Sequence, residues 1–260
     1  MHLINTTLFP KVARHDTVVD GTNAEAIRML SALAPPSPGA VYRADEQTAG
    51  RGQGTNSWHT TPGANLTFSM VVYPDHLAVD RIFALTQLSG LAVAETVAYF
   101  LTTQLAATVR LKWPNDVYVG DRKIAGILVQ NGLRGSRVSW SVIGIGLNVN
   151  ETDFPEELQA KATSLALLTD ATFSTDEVLE FLLARLAQNY HLSAPKRLTE
   201  LGYRYLGLLY RHNLPGRYQE VETGTYFLAV LRGVNDIGQL RLELAEGGER
   251  VFSLREVRFV

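Results

Sequence analysis

The sequence predicts an α+β protein: a mixed, largely antiparallel sheet flanked by helices, followed by a small β-barrel. Three observations carry this. Strand-like runs cluster between residues 109 and 148 and are joined by tight turns rather than by crossover helices, which argues against a doubly wound parallel sheet. After His212 the texture changes to short strands at regular spacing, separated by Gly and Asn turns. The 260 residues, 46% hydrophobic and 19% charged, suffice for one or two domains with a sizeable core. The expected division is residues 1–212 and 213–260.

In chain order, Thr22-Asn23 offers N-cap chemistry, and Ala26, Ile27, Leu30 and Leu33 follow at helical spacing, predicting a helix over 22–33. Ala40 to Glu46 and Leu66 to Tyr73 read as strands. Asp80 to Ala107 reads as one long helix, with Ile82, Leu85, Leu88, Ala92, Val93, Val97 and Phe100 along one side. Val109 to Lys112, Val117 to Val119, Ile124 to Gln130 and Ser139 to Asn148 read as successive strands, two of them joined at Gly120-Asp121. Ser174 and Glu177 form a capping-box pattern that opens a helix to Tyr190, and another helix runs from about Pro195 to Leu208. Leu214-Pro215-Gly216 is a break. Strands follow at 217–222, 226–234, 239–244, 250–254 and 257–260, a set small enough to need the larger domain to pack against.

Composition removes several chemistries. Without cysteine there are no disulfides, Cys–zinc sites or thiol nucleophiles. The six histidines (His2, His15, His59, His76, His191, His212) are scattered, with none three or four apart as a helical metal site needs. A formal net charge of −2 argues against a broad basic surface for nucleic acid. The start, MHLINTTLFP, lacks the basic and apolar regions of a signal peptide, and Gln87, Glu95 and Gln104 interrupt the most apolar stretch, a poor membrane span. The expectation is a cytoplasmic protein with no membrane partner.

Four stretches carry candidate chemistry. In Gly50-Arg51-Gly52-Gln53-Gly54, alternating glycines let backbone N–H groups approach an anion and Arg51 adds a charged fork; the alternative is a loop with a solvated Arg. Lys112-Trp113-Pro114-Asn115-Asp116 delivers a lysine at a strand end, where it would neutralise a phosphate, or else is an ordinary strand-to-turn exit with Trp113 in the core. Gly126, inside the apolar strand Lys123 to Val129, leaves room for a ligand or marks a bulge. In Ile143 to Asn150, Asn148 would read an adenine or ribose edge, or cap a turn.

Taken in order, DGTN (20–23), EQTAGRGQGTNSW (46–58), PGANLTFS (62–69), KWPNDVYVGDRKIAGILVQ (112–130) and IGIGLNVN (143–150) resemble the biotin–protein ligases, the biotin–[acetyl-CoA-carboxylase] ligases. VLRGVNDIGQLRLEL resembles the family's small SH3-like barrel. The resemblance implies a class II synthetase-like catalytic domain of the biotin/lipoate ligase fold. It implies ATP-dependent formation of biotinyl-5′-AMP and transfer of biotin to a lysine of a biotin carboxyl carrier protein, with Mg2+ carried by ATP and no dedicated metal or permanently bound cofactor. It places Thr22, Asn23 and Gln47 on the biotin ring, with Gly126 allowing its close approach. Arg51 and Lys112 would serve as the catalytic cations, touching both biotin and phosphate. Gly50, Gly52, Trp58 and Asn148 would line the adenylate. Gly21 stands where the family often has Ser, and the loop after Arg51 is less basic than usual. With DGTN at residue 20, the expectation is a short form without the N-terminal DNA-binding domain, hence no DNA partner. Dimerisation is expected, if at all, through strand edges near the Gly52 loop and at Ser139 to Asn148. Two rival readings are a non-catalytic biotin or biotinyl-AMP sensor and a lipoate or octanoate ligase of the same fold.

Overall fold

The computed structural model describes residues 6–54, 56–58 and 60–260. His2, His59, Thr55 in the glycine loop and the first five residues of the chain therefore lie outside the described residues.

Among the described residues, twelve strands form two sheets. The larger has the order β1-β2-β3-β7-β6-β5-β4, built from β1 (Lys11–Val19), β2 (Ala40–Gln47), β3 (Leu66–Val72), β4 (Val109–Lys112), β5 (Asp116–Val119), β6 (Arg122–Arg134) and β7 (Arg137–Leu147). Only β1 and β2 run parallel, joined through helix α1 (Thr22–Leu30); the other neighbours are antiparallel. The smaller sheet, β11-β10-β9-β8-β12, comprises β8 (Pro215–Glu220), β9 (Tyr226–Val234), β10 (Leu240–Leu244), β11 (Glu249–Phe252) and β12 (Val257–Phe259).

Helix α2 (Phe83–Tyr99) is buried on nearly all sides, between the large sheet and two later helices, α6 (Thr175–Tyr190) and α7 (Leu198–Leu208). Its Gly90 sits close to Leu111 and Ile127 of the sheet. Helix Val79–Tyr99 is long and apolar enough to cross a membrane by composition, but it lies in the protein core. The one acid of α2, Glu95, is satisfied there by Arg204 of α7 at 2.6 Å and Asn189 of α6 at 3.2 Å. On the opposite sheet face α1 packs Ala26 over Tyr42, Val71 and Val142. That helix covers only part of the face, and the uncovered part is the cleft described below.

Several boundaries differ from those expected. Strand β1 was not expected at all: it is a sheet edge wet on both faces, so KVARHDTVV carries no alternation to read. Helix α1 stops at Leu30, and Leu33 is exposed; its N-cap is Gly21, while Thr22 is already helical and turns its side chain to Gln47. The long helix 80–107 is divided into a 3-10 turn (Val79–Arg81), α2 and the short α3 (Thr103–Ala106), because the chain leaves helical geometry at Thr102. Strands β6 and β7 form a hairpin longer than expected, and two short helices, α4 (Glu156–Gln159) and α5 (Leu165–Thr169), follow it. Pro215 and Gly216 belong to β8 rather than to a break. The Ser174 cap is as expected, accepting from the Glu177 N–H. Finally, residues 139–147 are no edge. Strand β7 lies between β3 and β6, and the sheet's edges are β1 and β4, the latter covered where Tyr210 N–H donates to Leu111 O. A dimer through edge strands of this sheet has β1 to use, not Ser139 to Asn148.

Candidate functional site

The uncovered sheet face forms a cleft of about 510 Å3 between α1, the glycine loop and the Pro114–Asp116 turn. One end is an amide and hydroxyl network, the floor is glycine, and the other end carries opposite charges.

At the first end, Thr22 opens α1, and both its N–H (2.8 Å) and its hydroxyl (3.2 Å) donate to Gln47 Oε1. Ser69, fully buried on β3, lies 2.8 Å from Thr22 Oγ1 and 2.6 Å from Asn23 Oδ1. The Asn23 carbonyl oxygen carries no hydrogen and the single Thr22 hydroxyl hydrogen is directed to Gln47, so the Ser69 hydroxyl hydrogen is shared between Asn23 Oδ1 and Thr22 Oγ1. Asn23 Nδ2 donates to Gln130 Oε1 at 2.8 Å and to Leu128 O at 3.3 Å. The chain Gln130–Asn23–Ser69–Thr22–Gln47 thus ties α1 to three strands, holding the polar groups in one arrangement before any ligand arrives. At the rim, Asp20 binds Arg28 through two 2.8 Å hydrogen bonds, which hold its carboxyl down at about 2.

The floor is Gly126 of β6 and Gly144 and Gly146 of β7, with Gly126 opposite Gly146 and Gly144 opposite Leu128. A Cβ at 144 would fall 2.9 Å from Asn23 Cγ, and one at 146 would fall 2.7 Å from Trp58 Nε1. Glycine is required here by close approach, not by backbone conformation, since none of the three has a positive φ. The Trp58 indole lies across Gly126 and Gly146.

At the charged end the described loop residues form a small hairpin, with Trp58 N–H donating to Gly50 O (2.9 Å) and Gly52 N–H to Asn56 O (2.7 Å). Arg51 is exposed at its side. Gly54, at φ +73°, sits so close to Arg255 of the β11–β12 turn that an added Cβ would be 2.7 Å from its Cζ. Facing the loop, Lys123 Nζ pairs with Asp116 at 2.7 Å and lies 5.5 Å from the Trp58 ring centre. The Lys123 backbone is anchored twice, to Lys161 O (2.7 Å) and by Thr163 N–H (2.9 Å). Such an end, with the exposed Arg51 beside the held Lys123, suits a site where two anions are brought together. Among the described residues no group of three His, Asp or Glu side chains could hold a metal ion.

Comparison with known proteins agrees with this geometry. The model of the biotin/lipoate A/B protein ligase family matches residues 22–148, which hold all of the cleft's lining except Asp20 and Gly21. The chain is 32% identical to the bifunctional ligase/repressor BirA of Bacillus subtilis over 250 residues, 92% of this chain and 71% of that one. It is 34% identical to the biotin–[acetyl-CoA-carboxylase] ligase of Mycobacterium tuberculosis over 238 residues, 88% of this chain and 82% of that one. This chain belongs to the biotin/lipoate A/B protein ligase family. Among solved structures, the biotin protein ligase of Aquifex aeolicus in complex with biotin and ATP superposes with a TM-score of 0.76 at 25% identity, covering 97% of this chain and 99% of that one.

Of the residues expected to act in this family member, Thr22, Asn23, Gln47, Arg51, Gly52, Trp58 and Gly126 line the cleft, and Gly50 holds the loop's base. Two do not line it. Lys112 points toward the C-terminal sheet: its Nζ donates to Tyr118 OH (3.1 Å) among the rings of Tyr118, Tyr210 and Phe259, and burial pushes its ammonium below the usual lysine range. Asn148 is 4% exposed and its amide donates to Thr163 O, so it fastens the 161–163 segment behind Lys123. Sequence reasoning left unassigned Lys123, Asp116, Ser69, Gln130, Gly144, Gly146 and Arg255. Lys123, a charge opening an apolar strand, and the Gly-x-Gly of β7 are the sequence signals that point to three of them.

Proposed function

We propose that the protein activates biotin with ATP to biotinyl-5′-AMP and transfers the biotin to a lysine of a biotin carboxyl carrier protein. The observation that carries this is the polarity of the cleft: neutral amide and hydroxyl groups at one end, a glycine floor, and cations at the other. Biotin has that polarity, an uncharged ureido ring and a terminal carboxylate. Thr22, Asn23 and Gln47 receive the ring, while Gly144 and Gly146 give Asn23 and Trp58 room to lie against the sheet beside Gly126.

In the first step a biotin carboxylate oxygen bonds to the α-phosphorus of MgATP and the bond to pyrophosphate breaks. Both reactants are anions, so the site must neutralise charge that grows on the phosphate. Arg51 and Lys123 do this, the second in place of Lys112; Asp116 orients Lys123 before substrate arrives. Gly50 and Gly52 bring the loop backbone close, Trp58 covers the adenine, and Arg255 reaches the same loop from the C-terminal sheet. In the second step the carrier lysine attacks the acyl carbon and AMP leaves. The protein contributes position and shelter from water, and no covalent enzyme intermediate is needed. Residues 1–212 form the catalytic domain and 213–260 the SH3-like domain in this reading, and the enzyme acts in the cytoplasm without a DNA partner.

The test mixes the purified protein, biotin and MgATP with a carrier domain, beside a carrier whose acceptor lysine is changed. Label on the intact acceptor alone is the expected result. Binding of biotin without labelling would favour a sensor, and transfer of lipoate instead would mean a different acyl group.

A further inference from the structure

The glycine loop has two roots. At the first, Thr48 N–H donates to Val19 O and Ala49 N–H to Asp20 O, both at 2.9 Å. The second is the stretch before β3, and there the anchor is Glu151, which is 3% exposed and lies just beyond β7. Among the described residues its carboxylate meets three neutral donors. Thr61 N–H and Asn65 Nδ2 each lie 3.0 Å from Oε2, and the Thr61 hydroxyl lies 3.0 Å from Oε1. Glu151 is itself fixed, since the Ser164 hydroxyl that caps α5 donates to its carbonyl at 2.5 Å. Asn65 has a further tie, its Oδ1 accepting from Val149 N–H at 2.9 Å, whereas both donors of Thr61 go to Glu151. Trp58 stands three residues before Thr61. Its indole lies across Gly126 and Gly146, yet the buried Nε1 has no hydrogen-bond partner among the described residues. No hydrogen bond of the ring fixes its place, so packing and the backbone on either side must. On one side Trp58 N–H donates to Gly50 O at 2.9 Å, and on the other stands the Thr61–Glu151 clamp.

We infer that Glu151 is a positioning residue: it pins Thr61 and, through Thr61, holds the Trp58 indole over the glycine floor where the adenine is received. The inference rests on the proposed adenylation. A carboxylate taken out of water is costly unless donors surround it, and donors to an anion make stronger, more directional bonds than donors to a neutral group. Three such bonds from two residues make a clamp that an apolar side chain cannot copy. The bonds that hold Thr22, Asn23 and Gln47 at the ring end involve neither Thr61 nor Glu151. Releasing the clamp should therefore weaken ATP and spare biotin.

The test uses the full chain and two readouts. In biotin-dependent pyrophosphate release, Glu151→Leu should raise KM for ATP about fivefold to tenfold, part of the loss expected when a base loses its aromatic platform, with Kd for biotin within about twofold by direct titration. Glu151→Leu combined with Trp58→Ala should have a KM for ATP no higher than Trp58→Ala alone, because both changes remove the same contact. Glu151→Gln should stay within about twofold of wild type: its oxygen still accepts from Thr61 N–H and Asn65, and its NH2 donates to the Thr61 hydroxyl, which accepts as well as donates. The second readout is hydrogen exchange at single amides. The Trp58 amide, which Glu151 does not touch, should exchange about tenfold faster in Glu151→Leu, while the Thr22 amide held by Gln47 keeps its wild-type rate. Thr61→Val, which loses only the hydroxyl bond, should shift both readouts the same way by less, and it carries the test should Glu151→Leu fold poorly. Wild-type KM for ATP with unchanged Trp58 exchange, an equal loss of biotin affinity, additive losses in the double variant, or a Gln variant as impaired as Leu would overturn the inference. A wild-type chain that releases no pyrophosphate would instead overturn the proposed function, and Trp58 exchange would still decide the clamp.

Discussion

Replacing Gly144 by alanine separates a residue needed for close approach from one needed for flexibility. Gly144 has no positive φ, so alanine meets no backbone strain there, and in a strand it gains about 0.5–1 kcal/mol over glycine. Against this stands Asn23. The new Cβ would lie 2.9 Å from its Cγ and 3.2 Å from its Nδ2, closer than the 3.4–4 Å of ordinary contact. Asn23 must move, and it is held by Ser69 at 2.6 Å, Gln130 at 2.8 Å and Leu128 O at 3.3 Å. Losing two of these bonds costs about 2–3 kcal/mol at roughly 1–1.5 kcal/mol each. The net is a destabilisation of about 1–2 kcal/mol, a fall in Tm of about 2–8 °C for a chain of this size. Because the displaced side chain belongs to the ring end, biotin affinity should fall about tenfold or more, the equivalent of roughly 1.4 kcal/mol. Calorimetric titration with biotin and thermal denaturation of both proteins check this. A Gly144→Ala protein with unchanged Kd and a raised Tm would refute the account of the floor.

The remaining expectations are briefer. Lys123→Met should lower the rate of biotin-dependent pyrophosphate release by about 10²–10³-fold, the usual cost of removing a preorganised charge, while biotin still binds in a direct titration. Gly202→Ala, in α7 with nothing within 4 Å of the added Cβ, should raise stability by about 0.8–1 kcal/mol in denaturant unfolding, since glycine in a helix interior costs that much. The Asp20 carboxyl is held at about 2 against 3.8 in a free chain, first by its Arg28 hydrogen bonds, so its contribution to stability is present above pH 3.8 and lost as pH falls through about 2. Asp20→Asn should therefore be less stable than wild type near neutrality, with the difference closing in acid unfolding curves toward pH 2.

Much of the fold was legible because its core elements bury one pattern each. The strands at 40–47, 66–72 and 109–147 and the helix opened by Ser174 carry apolar runs or caps that no other structure uses as well. Strand β1 was not legible, since an edge strand solvated on both faces has no pattern to preserve. The cleft divides the same way. Thr22, Asn23, Gln47, Arg51 and Gly126 sit in motifs, but the choice between Lys112 and Lys123 depends on pairing across strands. Both lysines lie at strand ends in the β4–β5–β6 meander, and register alone decides which faces the glycine loop. Lys112 lies opposite Asp116 and Asp116 opposite Gly126, while a bulge after Val117 shifts the register before Lys123. Ser69 was hidden for a different reason: its hydroxyl acts only through contacts with residues 46 and 47 positions away in sequence.

The central claim is that this cleft joins the carboxylate of biotin to the α-phosphate of ATP. Isotope exchange between ATP and pyrophosphate, measured with no carrier protein present, reports that step alone. Exchange that requires biotin, is not supported by lipoate or octanoate, and collapses in Lys123→Met is the expected result. Exchange supported by lipoate but not biotin, or retained in full by Lys123→Met, would contradict the account.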